Sequence, residues 1–261
     1  MRFTKMEGLG NDYIYLNCLE GAPEDLPELA VRLSRRRFGV GADGIICIRP
    51  GRGGDFAMEM YNADGSRGAM CGNGIRCVGK YVYDKGLTRK TCLTIDTDAG
   101  PRTLELHLLG DRVDRVTADM GAVTAGAPVT LEAAGTAFSV IPADAGNPHG
   151  VIFCPDPEEV DLERLGPLLE NHPALGERRN IEFAACPNRE HITLRVWERG
   201  SGITLACGTG ACAVFAAALK ENRCRPKVEA KLPGGVLTLE KRGEHIFMTG
   251  PARTVFEGEV P

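Results

Sequence analysis

Two cysteines in this chain open the same kind of glycine-rich turn, 136 residues apart. One stands in Met70-Cys71-Gly72-Asn73-Gly74, the other in Ala206-Cys207-Gly208-Thr209-Gly210. A thiol placed just before a helix meets backbone N–H groups without intrahelical partners, at the end of the dipole that favours negative charge. Both effects draw a thiol pKa toward neutrality, so each cysteine is expected to supply a usable thiolate. The glycines, lacking Cβ, let the backbone come close to a ligand. The N–H groups of Gly72 and Asn73, and of Gly208 and Thr209, then read as two anion cradles. If both grip one carboxylate, its α-carbon lies between the two sulfurs. One thiolate removes the α-proton, and the other cysteine, as thiol, protonates the opposite face. The cradles hold the charge that develops on the carboxylate. That is the chemistry that inverts a stereocentre.

The elements that position these turns come in two copies. Without a gap, Asp55-Phe56-Ala57-Met58-Glu59-Met60-Tyr61-Asn62 lies over His191-Ile192-Thr193-Leu194-Arg195-Val196-Trp197-Glu198, apolar position on apolar position. Gly10-Asn11 and Gly146-Asn147 each place an asparagine 60 residues before the cysteine. The spacing predicts strands over 13–16, 45–48, 56–61 and 192–197, and helices over 27–36, 73–83 and 209–220. Residues 211–219 are apolar all round, so the last helix is expected to be buried on every side. Strand-like segments near 91–96, 102–108, 112–119, 228–232, 236–240 and 245–249 are available to wrap such helices. Met6 to Asp12 reads as a turn-rich loop. The expected fold is α+β: two pseudo-symmetric domains, each a curved sheet or barrel around a central helix. The expected division is 1–115, completed by the tail 252–261 and carrying Cys71, and 116–251, carrying Cys207.

Composition excludes several classes. At 261 residues, 43% apolar and 25% charged, the chain has the make-up of a globular protein. A net charge of −4, with no basic block beyond Arg35-Arg36-Arg37, argues against nucleic acid. No apolar run is long enough for a membrane span, and the first residues lack a signal-peptide core, so a cytoplasmic location is expected. The ten cysteines include no Cys-x-x-Cys pair and the five histidines are scattered, so no metal site is expected. Cys18, Cys47, Cys77, Cys92, Cys154, Cys186, Cys212 and Cys224 read as buried apolar thiols. Gly39-Val40-Gly41-Ala42-Asp43-Gly44 matches a dinucleotide fingerprint in letters only. It follows a helix and opens a strand, the reverse of what that motif requires.

Seven motifs, in order along nearly the whole chain, resemble the diaminopimelate epimerase family. They are Lys5 to Asp12, Asn62 to Ser66, Met70 to Cys77, Gly146 to His149, Trp197 to Gly200, Ala206 to Ala211 and Leu232 to Gly235. The resemblance implies an enzyme that interconverts LL- and meso-diaminopimelate without PLP or metal, with Cys71 and Cys207 as the two bases. It implies α-carboxylate cradles at Gly72-Asn73 and Gly208-Thr209. Glu198 is implied for an ammonium group and Arg199 for the distal carboxylate. Asn11, Asn62, Asn147 and Asn180 are implied as readers of the non-reacting centre, and His149 and Glu198 as residues that tune the thiols. No cofactor is implied; the partner is the small substrate, and Val255-Phe256 points to a homodimer.

The chain departs from that pattern at Glu7, where many members have His, at Gly44, where some carry Gln, and at Arg67-Gly68-Ala69, where an acidic residue is common. Rival readings are a proline or hydroxyproline-type racemase, a Cys/His149 thiol hydrolase or acyl transferase, and a non-catalytic binding or redox protein. The first acts on a smaller substrate, which suits Arg199 and four asparagines less well. The second leaves one matched cysteine without a task.

Overall fold

The computed structural model describes residues 1–260, and the chain divides into two compact units: Met1–Asp119 with the tail from Thr249, and Met120–Met248. In the first, β1 (Arg2–Gly8), β2 (Asn11–Asn17), α1 (Leu26–Ser34), β3 (Gly44–Pro50), β4 (Phe56–Asn62), β5 (Arg67–Gly68), α2 (Gly72–Asp84), β6 (Cys92–Asp96), β7 (Arg102–Leu109) and β8 (Arg112–Ala122) follow in order. The chain continues through β9 (Thr124–Ala125), β10 (Val129–Ala133), β11 (Thr136–Asp144), β12 (Pro148–Phe153), α3 (Leu162–Glu170), β13 (Asn180–Asn188), β14 (His191–Glu198), β15 (Gly202–Thr204), α4 (Gly208–Lys220), β16 (Lys227–Leu232), β17 (Gly235–Arg242) and β18 (His245–Pro251). β19 (Arg253–Glu259) belongs to the first unit, where it pairs antiparallel with β1.

The first unit's sheet runs β19-β1-β2-β3-β4-β6-β7-β8, with parallel pairs at β2–β3 and β4–β6. Helix α2 touches β19, β1 and β2 near one end of that order and β7 near the other, so the sheet curls around it. In the second unit β11-β12-β13-β14-β16-β17 repeat the plan, and α4 lies against β9, β11, β12, β13 and β14. The duplication holds residue for residue. Tyr13 pairs with Gly44 across the parallel β2–β3 step, and His149 with Asn180 across β12–β13, both shifted by the spacing of the cysteines. Each unit is the curved sheet around a central helix that the repeat implied, and the class is α+β.

The helices obey their compositions. Ala213, Val214, Phe215, Ala217 and Ala218 of α4 are wholly buried, an apolar and mostly small surface on which strands close on every side. Helix α2 is buried just as deeply but includes Arg76, a charge with no exposure. Its guanidinium donates to the Gly72 carbonyl (3.1 Å), the Asn73 side chain (2.9 Å) and the Pro251 carbonyl (3.3 Å), which satisfies it in place of water. On the outer faces, Leu26, Leu29, Ala30 and Leu33 of α1 pack on Ile14, Leu16 and Ile45, while Leu162 and Leu169 of α3 pack on Phe183, Ile181 and Ile152.

Three local expectations need correction. Met6 to Asp12 is not a loop: β1 and β2 run to a two-residue turn at Leu9-Gly10, both at positive φ (59° and 83°). The glycines and Asn11-Asp12 that read as a loop form only the end of β1, the tight turn and the start of β2, while the buried Lys5 of β1 is paired with Asp12 at 2.7 Å and bonded to the Gly41 carbonyl. The strands β10 to β13 and helix α3 have no counterpart in the sequence reading, because β13 is buried on both faces along Asn180 to Ala185 and shows no alternation. Of the eight cysteines expected to be buried, Cys92 is exposed and Cys154 and Cys186 are half-buried.

The tight wrapping of α4 predicts that Ala217→Leu lowers stability by about 1–3 kcal/mol through overpacking, as read by urea unfolding. An unchanged midpoint would contradict a close-packed central helix.

Candidate active site

Both cysteines are helix caps of the same design. Cys71 (φ −128°, ψ 120°) precedes α2 and its sulfur accepts the Gly74 N–H at 3.3 Å. Cys207 (φ −119°, ψ 111°) precedes α4 and accepts the Gly210 N–H at 3.3 Å. A side chain at that third position would have to displace a neighbour. A Cβ on Gly74 would stand 2.7 Å from Ile46 Cδ1, and one on Gly210 would stand 2.6 Å from Glu182 Oε1. The sulfur takes the place that a Ser or Asp side chain fills at an ordinary N-cap.

Around Cys71, which is half-buried, the thiol donates to Asn11 Oδ1 at 3.3 Å. Asn11 cannot turn freely, because its Nδ2 donates to Asp43 Oδ2 at 2.8 Å. Asp43 also accepts the Asp12 N–H at 3.0 Å, and Arg36 bridges Asp12 and Asp43 at 3.0 and 3.3 Å. Burial pushes the Asp43 carboxyl up, against the pull of the Asp12 N–H. The sequence reading did not mark Asp43 as a site residue; it lies in the glycine-rich stretch rejected as a nucleotide motif.

Around Cys207, which is 6% exposed, the Thr209 hydroxyl lies 3.4 Å from the sulfur. Burial, followed by the negative charges of Glu198 and Glu182, pushes the Cys207 thiol well above its usual range. The bonds from Thr209 and Gly210 pull the other way and lose. The expectation of a near-neutral thiolate at this turn is therefore corrected: without ligand, desolvation outweighs the helix terminus. Glu198, at the end of β14, accepts the Thr204 hydroxyl at 2.5 Å. Arg199 donates its N–H to Asn180 Oδ1 at 2.8 Å, and Asn180 Nδ2 reaches the Pro148 carbonyl at 3.5 Å. His149 is wholly buried, with Nδ1 2.7 Å from Glu182 Oε1 and Nε2 3.0 Å from Asn147 Oδ1.

The structure thus joins Asn11 to Cys71, Thr209 to Cys207, Asn147 to His149, and Asn180 to Arg199. It does not join the rest in the expected way. Asn62 closes its own turn onto Ser66 (3.0 Å), and both ring nitrogens of His149 are taken by Glu182 and Asn147 rather than by a sulfur; the Asn73 side chain is held by Arg76, which leaves its expected backbone role untouched. Glu182 escaped the sequence reading altogether, although a lone acid in the apolar run Ile181-Glu182-Phe183-Ala184 was a visible signal. The departures have local reasons. Glu7 accepts the Gly10 N–H (2.9 Å) and so caps the β1–β2 turn. Arg67 is pinned between Glu59 and Asp98 at 3.0 and 2.5 Å. A side chain on Gly44 would meet the Tyr61 carbonyl oxygen at 2.1 Å, so no glutamine fits this backbone. Elsewhere burial holds the Cys77 and Cys224 thiols up at about 12, in keeping with inert packing roles.

This fold is that of the proline racemase and PhzF-type proteins. A probable proline racemase from Agrobacterium radiobacter superposes with a TM-score of 0.75 over 100% of this chain and 92% of its own, at 15% identity. A PhzF-family phenazine biosynthesis protein from Enterococcus faecalis does so at 0.75 over 100% and 98%, at 13% identity. The sequence narrows the class. The diaminopimelate epimerase family model matches residues 3–125 and 142–255. Diaminopimelate epimerases from Phocaeicola vulgatus and Acetivibrio thermocellus are 46% and 45% identical, each over 100% of this chain and 98% of the relative. One from Methanococcus maripaludis is 44% identical over 100% and 99%. The chain belongs to the diaminopimelate epimerase family.

The raised Cys207 thiol sets a pH dependence. In ligand-free protein, iodoacetamide modification of Cys207, read by peptide mass spectrometry, should still be climbing above pH 9. A plateau reached by pH 8 would contradict the burial seen around this sulfur.

Proposed function

We propose that this chain interconverts LL- and meso-diaminopimelate, moving one proton at the α-carbon between two thiols with neither PLP nor metal. The observation that carries the reading is the matched pair of cysteine-capped helices in a chain of this family, each sulfur 3.3 Å from the N–H of the glycine three residues on. One cysteine as thiolate takes the α-proton while the other, as thiol, protonates the opposite face. Burial around Cys207 favours the thiol, which is the resting form an acid needs.

The remaining roles follow from the chemistry of a substrate with two amino-acid ends. First-turn N–H groups at Gly72-Asn73 and Gly208-Thr209 receive the α-carboxylate and hold the charge that builds on it. Glu198 meets an ammonium and the Arg199 guanidinium the distal carboxylate. Asn11, Asn62, Asn147 and Asn180 read the far centre; for Asn62 this requires giving up its bond to Ser66. His149 acts on the thiols through Glu182 and Asn147. The product serves lysine and peptidoglycan synthesis, which places the protein in the cytoplasm. No helix among the described residues is long and apolar enough to cross a membrane. Val255 and Phe256, exposed at 55% and 46% on β19, suit a homodimer contact. A proline-type racemase is the second reading, since its fold is shared, but at 15% identity that likeness bears on the fold alone.

Reduced protein given LL-diaminopimelate without PLP should yield the meso isomer by chiral chromatography. Cys71→Ala and Cys207→Ala should each lower kcat/KM by about 10³-fold or more, the scale of a lost acid or base. Turnover of proline with none of diaminopimelate, or a cysteine variant at the wild-type rate, would contradict the reading.

A further inference from the structure

The two halves agree at the cysteine, at the glycine three residues on and in the strand register, yet they differ at one buried position beneath the cap. In the first unit the side chain packed against Gly74 is Ile46. In the second, at the same place in the repeat, the side chain packed against Gly210 is Glu182. Ile46 pairs with Tyr15 across β2–β3, and Glu182 with Val151 across β12–β13, at matching steps of the ladder.

Glu182 has no exposure. Its Oε1 lies 2.7 Å from His149 Nδ1, while its Oε2 has no hydrogen-bond partner among the described residues. A carboxylate so placed costs stability, since burying a charge with half of its bonding capacity unmet is unfavourable. An apolar residue would remove that cost, and the first unit shows that isoleucine serves the fold. The site also lies at the sulfur. The point where a Gly210 Cβ would stand is 2.6 Å from Glu182 Oε1 and 3.3 Å from Cys207 Sγ, so carboxylate and thiol both border the space over the Gly210 Cα. The titratable groups facing Cys207 are Glu182 on β13 and Glu198 at the end of β14, with His149 on β12 behind Glu182. Beneath the Cys71 cap the matching place is hydrocarbon.

We propose that Glu182 is a positioning residue that makes the two thiols unequal: fixed on His149 and set beside the Cys207 turn, its carboxylate keeps Cys207 as the thiol, so that this half meets the substrate as proton donor. A repeat with two identical caps would have no built-in preference for which sulfur holds the proton, whereas a two-base epimerase needs one thiol and one thiolate. Glu182 adds to the preference that burial and Glu198 already give Cys207, and does so from beneath the backbone, without touching the substrate. The proposal rests on the two-base reading but concerns the resting protein, so it can fail alone.

The test compares wild type with Glu182→Gln, which keeps the shape and a bond to His149, and with Glu182→Ile, which copies the first unit. Circular dichroism and thermal unfolding establish that each variant is folded. Iodoacetamide modification of Cys207 and Cys71 is then followed against pH by peptide mass spectrometry, with no substrate present. Removing the buried negative charge favours the thiolate, so the Cys207 profile should move to lower pH in the Gln variant, with about tenfold faster modification at a fixed pH below the midpoint. Cys71 should keep its wild-type profile. A Cys207 profile that stays in place, or moves to higher pH, overturns the proposal, and so does an equal shift of both cysteines. The Ile variant, if folded, should shift like Gln; wild-type behaviour there would overturn the proposal as well. Deuterium exchange by wild-type protein separately decides the epimerase reading, so failure of one is distinguishable from failure of the other.

Discussion

A sulfur that accepts the N–H of the third residue of a buried helix dictates much of what surrounds it. The bond, 3.3 Å in each half, holds the cysteine in extended backbone just before the helix and turns its sulfur onto the first turn. It is served by glycine at 74 and 210, where β3 and β13 press Ile46 and Glu182 against the helix. The strands press there because the sheet curls around each helix, closely around α4 because it is small and apolar, and around α2 because its buried Arg76 has its bonds met by Gly72, Asn73 and Pro251. Cap, glycine, curl and composition are one constraint, written twice in the chain.

On that symmetric frame the polar surroundings diverge. Cys71 donates to Asn11, which is locked by Asp43 and through it to Arg36 and Asp12. Cys207 lies deeper, beside Thr209, with Glu198 and the Glu182–His149 pair near it. Inverting a stereocentre asks for two bases of similar kind in different protonation states. Duplication accounts for the similarity, and the surroundings differ most plainly where Glu182 stands in the second half at the place of Ile46 in the first.

The repeat, the two caps and the central helices were legible in the sequence because they rest on local chemistry: glycine, a capping side chain, helical periodicity. What escaped depends on partners far along the chain. β13 reads as featureless because both of its faces are covered, and the end of β1 reads as a loop because its turn residues sit in a two-residue hairpin that only strand pairing reveals. Asp43 and Glu182 were invisible as site residues since each gains its meaning from a neighbour about 32 residues away, Asn11 and His149 respectively. The one chemical misjudgement, a near-neutral Cys207, came from counting the helix terminus without the desolvation that only packing reveals. Gly44 illustrates the converse: an apparent departure from the family becomes necessary once the Tyr61 carbonyl is in place.

The central claim, that the proton removed and the proton delivered belong to two different monoprotic thiols, is tested most directly by where deuterium appears early in the reaction. LL-diaminopimelate is converted in deuterated water to a few per cent, and both isomers are isolated for mass spectrometry. With two bases, the proton taken from the substrate stays on its thiol and returns to the same face on reversal. Recovered LL substrate should then be unlabelled while the meso product carries deuterium at the inverted centre. Comparable label in recovered substrate and product would mean that one exchanging base serves both faces, and would contradict the account.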